Sequence, residues 1–464
     1  MAQSRRDQIQ AQSYVWSRLV SALVTGDADA AENPNRRLLT GTVGGLLLAA
    51  LITIGVTAYG FVRPGGATAW EKPGVLIVEK ETGSRYALVD GRLRPILNYA
   101  SVRLFFGKDP QVIMASAKSL GAVPHGDPLG VVGAPDGLPV AGRVSGQAWT
   151  VCAAATSDLT GKAVPITTLS IAEAGPRTDR PLDTGSALLV AGDVMVWQGR
   201  RIRLTEDWLA RVLGADGPPL PVQPTWLGAL PAGPDLAPVP VPGRGDAGPS
   251  VDGRPTRIGE LFSASAENGA QRRFVLQSDG LMTLSPMAYA VVAADPATAA
   301  LYRGEAVATI PLSLAALAQL PVSGRAALSG SLPQEPPRLI TRPPSGLDWC
   351  VRQNMGDGQI EVSADRTPGA SDAVTDGLRI TRTPRTAAYV AVAAGDGGMV
   401  VAGRFDQALG NSRYLVTDAG VKYPVPDAAT AERLGYPSSG DHPVPPALLD
   451  LLPTGPLLSG DVQN

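Results

Sequence analysis

Apolar residues first recur at helical spacing, then run unbroken, then come in short bursts. In residues 5–24, Ile9, Trp16, Leu19, Val20 and Leu23 fall near one helix face, with Arg5, Arg6 and Arg18 among the polar positions. Asn33-Pro34 breaks that pattern ahead of Arg36-Arg37. From Leu38 to Val62, 25 residues carry no charge. At about 1.5 Å of rise per residue, such a helix crosses a hydrocarbon core of ~30 Å with length to spare. This pattern predicts one membrane anchor. Ala67-Thr68-Ala69 has the form of a signal-peptidase site, but a signal peptide's apolar region is only about 7–15 residues long. Within the anchor, Gly41, Gly45, Ala49, Thr53 and Thr57 form a small-residue stripe. Such stripes let a second helix approach closely in lipid. The amphipathic head suits either the membrane surface or a cytoplasmic docking partner.

Beyond the anchor, Arg63-Pro64-Gly65-Gly66 reads as a linker, and then one pattern recurs four times. An apolar strand leads to a turn at Gly91, Gly199, Gly280 or Gly420, and a second short strand follows. Asn98, Thr205, Ser285 or Asp427 then stands where a helix N-cap belongs. Gly107, Gly214 and Gly435 end three of the four helices, while the third copy lacks that glycine. Later in each copy a short leucine-rich turn is bounded by prolines, as at Trp226–Pro231, Leu314–Pro321 and Leu448–Pro453, with a looser version at Ser119-Leu120-Gly121. One hairpin and one helix bury little alone, so each copy needs further chain to complete a core.

The turn glycines are unevenly spaced, and the extra chain lies between copies one and two and between copies three and four. Each insert holds one cysteine beside a tryptophan, Trp149/Cys152 and Trp349/Cys350. The body therefore reads as two halves, each repeat–insert–repeat, joined by a surface linker over the Pro/Gly-rich residues 231–256. If the inserts meet, Cys152 and Cys350 pair; otherwise they are two buried thiols.

Composition adds limits. Charged residues are 18% of the 464, and there are 53 glycines and 42 prolines, which suits turns and short strands. A net charge of −2 argues against nucleic acid as a partner. Arginines 5, 6, 18, 36 and 37 precede the anchor, so the positive-inside rule places the head in the cytoplasm.

Candidate chemistry is sparse. His125 and His442 are the two histidines, both beside turn residues and expected in exposed loops. They form no metal motif. Neither Gly107-Lys108 nor Gly161-Lys162 sits in a phosphate-binding G-x-x-x-x-G-K-[ST] loop. Asp183-Thr184-Gly185 has the form of an aspartic-protease triplet, but Asp396-Gly397-Gly398 is a poor second loop. Asp193 and Asp396 are expected to close turns. No catalytic, cofactor or metal residue is assigned.

The head, the single anchor, four degenerate repeats and one cysteine per half together resemble the EccB family of the type VII (ESX) secretion machinery. The nearest motif matches are Tyr86 to Gly107 and Tyr414 to Gly435, the latter containing Gly420-Val421-Lys422-Tyr423-Pro424-Val425-Pro426. Tyr14-Val15-Trp16-Ser17-Arg18 departs from a double-arginine run common in the family. The resemblance covers nearly the whole chain. It implies an α+β fold with one membrane helix and an elongated periplasmic domain of four repeats around a disulfide-closed core, with pseudo-two-fold symmetry. It also implies a single-pass inner-membrane protein with its N-terminus in the cytoplasm. The expected partners are membrane lipid, the EccC ATPase, EccD, EccE, other EccB copies and the mycosin protease. Arg5, Arg6, Trp16 and Arg18 would dock in the cytoplasm. The expected divisions are a head (1–37), anchor (38–62), linker (63–72), repeat 1 (73–142), core (143–182), repeat 2 (183–234), linker (235–256), repeat 3 (257–333), core (334–390) and repeat 4 (391–464). The role implied is structural and non-catalytic. The alternatives are a tethered peptidoglycan-binding module and, more weakly, an extracytoplasmic nucleotide hydrolase, an activity ascribed to some members.

Overall fold

The computed structural model describes residues 5–26, 34–62, 69–143, 147–172, 180–190, 193–215, 217–265, 269, 271–303, 305–367, 377, 379–404, 410–440 and 442–460. The Arg63–Gly66 linker and Ala67-Thr68 lie outside them. The chain divides into two compact units, and the boundary runs through the first hairpin segment.

The first unit comprises Met1–Ser84, Leu88–Leu93 and Val112–Pro124. It opens with helix α1 (Arg5–Thr25) and helix α2 (Pro34–Val62). Pro34 suits the start of α2, where a helix has no use for the missing N–H. Strand Leu76–Glu79 pairs in parallel with Val112–Ala115. Trp70 is buried in the short helical turn Ala69–Glu71. Asp90 and Gly91 both have positive φ, 49° and 72°. That is the type I′ turn, whose twist matches that of paired strands.

The second unit comprises Arg85–Ala87, Arg94–Gln111 and His125–Asn464. Its centre is a six-stranded sheet. From edge to edge the strands are Tyr389–Val392, Ala163–Ile171, Ala148–Ser157, Asp348–Asn354, Ile360–Asp365 and Arg180–Pro181. The unit also holds three four-stranded sheets, each with a third–second–first–fourth strand order and a parallel fourth strand. In the third hairpin segment the strands are Leu261–Ser265, Gln271–Gln277, Gly280–Leu284 and Thr309–Pro311. In the fourth they are Gly398–Ala402, Arg413–Val416, Lys422–Val425 and His442–Val444. In the second, Ser186–Val190, Val194–Trp197 and Arg200–Arg203 are joined by a distant strand, Arg338–Ile340, which lies against Ser186–Leu188.

The expected caps are mostly present. Side chains of Asn98, Ser285 and Asp427 accept hydrogen bonds from the N–H groups of Ser101, Ala288 and Thr430. Thr205 does not cap. The helix Asp207–Val212 starts one residue later, with Glu206 at the N-cap and no side-chain bond, while the Thr205 N–H bonds the carbonyl of Leu236.

Two shared cores set how the segments pack. One joins Ala100 and Leu104 to Leu415, Tyr423, Leu434 and Tyr436, so the helix Tyr99–Phe106 packs on the fourth segment. The other joins Leu189, Met195 and Leu209 to Val275, Met282 and Val291, so the second segment packs on the third. The expected grouping into halves therefore runs differently: cores are shared by first with fourth and second with third. The 231–256 stretch is likewise no loose surface linker. Leu236, Val239 and Val251 are buried, and the N–H of Leu236 bonds the carbonyl of Arg203. Pro and Gly make a chain turn often, but they do not prevent its apolar residues from filling a seam.

Candidate functional site

Cys152 and Cys350 form a disulfide. They are direct register partners on adjacent antiparallel strands, with Cα atoms 4.0 Å apart. That is the close, non-hydrogen-bonded type of cross-strand pair. Both are buried, as are their neighbours Trp149 and Trp349. Trp226, from the second segment, reaches into this core and donates its indole N–H to the carbonyl of Val151 at 3.1 Å. Val400, Val416 and Leu448 of the fourth segment close the other side of the same cluster. The bond therefore fastens together the two central-sheet strands against which the second and fourth segments pack.

Helix α2 has an apolar span, Leu38–Tyr59, with none of it buried. At Gly41 and Gly45 an added Cβ would meet nothing within 4 Å. Further along the stripe, Thr53 donates to the carbonyl of Ala49 at 2.7 Å and Thr57 to that of Thr53 at 2.6 Å. The hydroxyls are thus satisfied by their own helix, as a lipid-facing surface requires. On α1, Arg5, Arg6, Trp16 and Arg18 are exposed, with the Arg18 guanidinium 5.3 Å from the Tyr14 ring centre. Ile9, Leu19 and Leu23 are exposed too. The structure leaves both predicted contact surfaces, the head and the stripe, uncovered.

The candidate chemistry does not converge. His125 sits edge-on to Tyr86 at 5.8 Å. His442, expected in an exposed loop, lies half-buried in a strand beside Val400, because the parallel fourth strand begins there. Among the described residues no three His, Cys, Asp or Glu side chains cluster to hold a metal. Asp183 and Thr184 line a cleft of about 560 Å³ with Arg352 and Glu361. Asp396 is not in its lining; it pairs with Arg143 at 3.2 Å.

Sequence reading missed the groups that tie distant segments. Arg433 donates to the carbonyl of Leu104 at 3.3 Å. Lys422 is buried and donates to the carbonyl of Leu449 at 2.6 Å. Desolvation holds its ammonium pKa below the usual lysine value, and the Asp450 carboxylate pulls it partly back. The one signal for Lys422 was a charged residue inside an otherwise apolar strand pattern.

The family model for the type VII secretion system ESX-1 transport TM domain B, EccB, matches residues 1–462. The chain belongs to the EccB family. An EccB is a structural subunit of the type VII secretion membrane complex, anchored in the membrane. Among its relatives is the Mycobacterium tuberculosis "ESX-1 secretion system ATPase EccB1", 27% identical over 98% of this chain and 93% of that protein. Another is the Mycolicibacterium smegmatis "ESX-3 secretion system ATPase EccB3", 26% identical over 98% of this chain and 89% of that protein. The fold is similar to that of a chain in an intact ESX-5 inner membrane complex, with a TM-score of 0.65 at 24% identity, covering 100% of this chain and 96% of that one. It is also similar to an EccB3 dimer from the ESX-3 core complex, with a TM-score of 0.65 at 23% identity, covering 83% and 98%.

Proposed function

We propose that this EccB is a non-catalytic scaffold that holds neighbouring subunits in register in the membrane and in the periplasm. The observation that carries the reading is the uncovered anchor: an apolar span with no buried residue and an internally satisfied small-residue stripe. In water such a surface would be a liability, whereas in lipid it is a helix-packing face. The arginine bias of the head supports a cytoplasmic N-terminus and a periplasmic body. A disulfide supports the same side for the body, since such bonds persist in oxidising compartments.

We infer further that the hairpin segments are four copies of one module, related by an approximate two-fold through the disulfide-bonded strands. The third–second–first–fourth strand order with a parallel fourth strand, shared by all four of the four-stranded sheets, favours this. The head, through Arg5, Arg6, Trp16 and Arg18, would dock on EccC, EccD or EccE, and the body on other EccB copies and on a mycosin protease.

The test is native purification through a C-terminal tag in mild detergent, with identification of what accompanies the chain. A very large species containing an ATPase and a multi-span membrane protein is expected. A chain that comes through alone in several detergents would overturn the scaffold reading.

A further inference from the structure

We propose that the central-sheet hairpin is an exchange arm, whose tip, Leu159, docks into a cavity beside Gly228 and Ala447 of a second copy of this chain. This names a copy-to-copy contact within the scaffold reading and rests on it.

Strands Ala148–Ser157 and Ala163–Ile171 pair from Trp149↔Ile171 out to Ser157↔Ala163. The inner part is buried in the central core. From position 155 to position 163 every residue is exposed. The arm therefore projects past everything that packs on the rest of the sheet in its own unit.

Its tip is built, not frayed. One carboxylate oxygen of Asp158 accepts from the Thr160 N–H at 2.8 Å, the Thr160 hydroxyl at 2.6 Å and the Lys162 N–H at 3.0 Å. The Asp158 N–H bonds back to the Lys162 carbonyl at 2.9 Å. Within this ordered turn Leu159 is 108% exposed, so its whole side chain stands in water. A preorganised apolar tip loses little freedom on docking.

The chain also carries a matching socket. A cavity of about 210 Å³ is lined by Pro224, Gly228, Ala447 and Leu451, with Arg385 and Asp450 also in its wall. Removing a core leucine leaves a cavity on the order of 150 Å³, so a leucine fits. The socket is open at Gly228, where an added Cβ meets nothing within 4 Å. Charge matches as well. Asp158 and Lys162 flank Leu159, while Arg385 and Asp450, 3.1 Å apart, flank the apolar floor. Tip and socket thus each carry one charge of either sign, which an antiparallel docking can pair.

Placement selects the second copy. The Gln223 amide donates to the carbonyl of Pro165 at 2.7 Å, and the Thr225 and Thr167 hydroxyls lie 2.7 Å apart. The socket thus sits beside the lower part of the same arm, level with Ala155 and Ala153, roughly 13–20 Å from the tip at ~3.3 Å per strand residue. A tip cannot reach its own socket. Two arms laid antiparallel about a two-fold axis place each tip over the other's base at once. The slim arm, Ala153-Ala154-Ala155 on one strand, permits that approach.

The experiment co-expresses two differently tagged full-length chains, one with Leu159→Cys and the other with Ala447→Cys, and adds a short bis-maleimide. A cross-linked species carrying both tags is expected. Pairing Leu159→Cys with Leu314→Cys, exposed in the third segment, should yield none. Gly228→Phe, placed in the Ala447→Cys chain to fill its socket, should lower the yield at least tenfold. No mixed species, or equal yield with Leu314→Cys, overturns the arm exchange. If that happens while the wild-type chain still purifies with the large complex, the inference falls and the scaffold reading stands. If the wild-type chain purifies alone, the scaffold reading falls.

Discussion

Tyr436 donates its hydroxyl to the carbonyl oxygen of Pro139 at 2.6 Å, across 297 residues of chain. Both groups are buried near the core where the helix Tyr99–Phe106 meets the fourth segment. Tyr436→Phe leaves that carbonyl unpaired and should cost about 1–3 kcal/mol. Desolvation pushes the Tyr436 hydroxyl pKa above the usual tyrosine value. A raised pKa gives stability that is complete below the unfolded-state value near 10 and is lost as pH climbs above it. Wild type should therefore lose stability above about pH 10 more steeply than the Phe variant. Denaturant unfolding of both chains from pH 8 to 11 measures it, and parallel curves would sink the assignment.

The Cys152–Cys350 bond closes a loop of 198 residues. In the chain-entropy model its loss costs roughly 5 kcal/mol, as an upper figure. The double serine variant should melt well below wild type, and reductant should lower the wild-type melting temperature alone. Equal melting with and without reductant would show that the bond adds nothing.

Arg244 and Asp295 form an ion pair at 2.9 Å, with side chains only 14% and 9% exposed. Arg244 belongs to the segment expected as a surface linker, and it also bonds Thr298. Asp295→Ala should be severe, about 3–5 kcal/mol, because it strands a buried guanidinium. The double change Arg244→Met, Asp295→Leu should recover much of that loss. Urea unfolding of the three chains decides, and additive losses would refute the coupling.

For the membrane stripe, Gly41→Leu with Gly45→Leu keeps α2 apolar while thickening its narrow face. Helix association should weaken by ~1–2 kcal/mol, roughly 5–30-fold. Co-purification at graded detergent would report it. Unchanged recovery of partners would assign the stripe to lipid alone.

Several elements were legible early because local chemistry compels them. A run of 25 uncharged residues flanked by arginines is long and apolar enough to span a membrane as one helix. Gly91 and Gly199 announced their turns, since positive φ is cheap for glycine. Asn98, Ser285 and Asp427 announced helix starts, since unpaired N–H groups need an acceptor. Thr205 announced one as well, but there the helix begins one residue later, at Glu206, with no side-chain cap.

Periodicity and spacing alone could thus establish the anchor, the hairpins and the placing of one cysteine in each insert, all properties of short stretches. They could not choose which apolar face meets which. Leu104, Leu209, Val291 and Leu434 present equivalent helix faces, and only packing pairs the first with the fourth and the second with the third. Nor could they show Arg338–Ile340 completing a sheet that begins at Ser186, or Leu236 and Val239 sealing a core from a proline-rich stretch. Burial of apolar surface is non-directional. Many pairings satisfy it equally in a sequence, and steric fit in three dimensions leaves one.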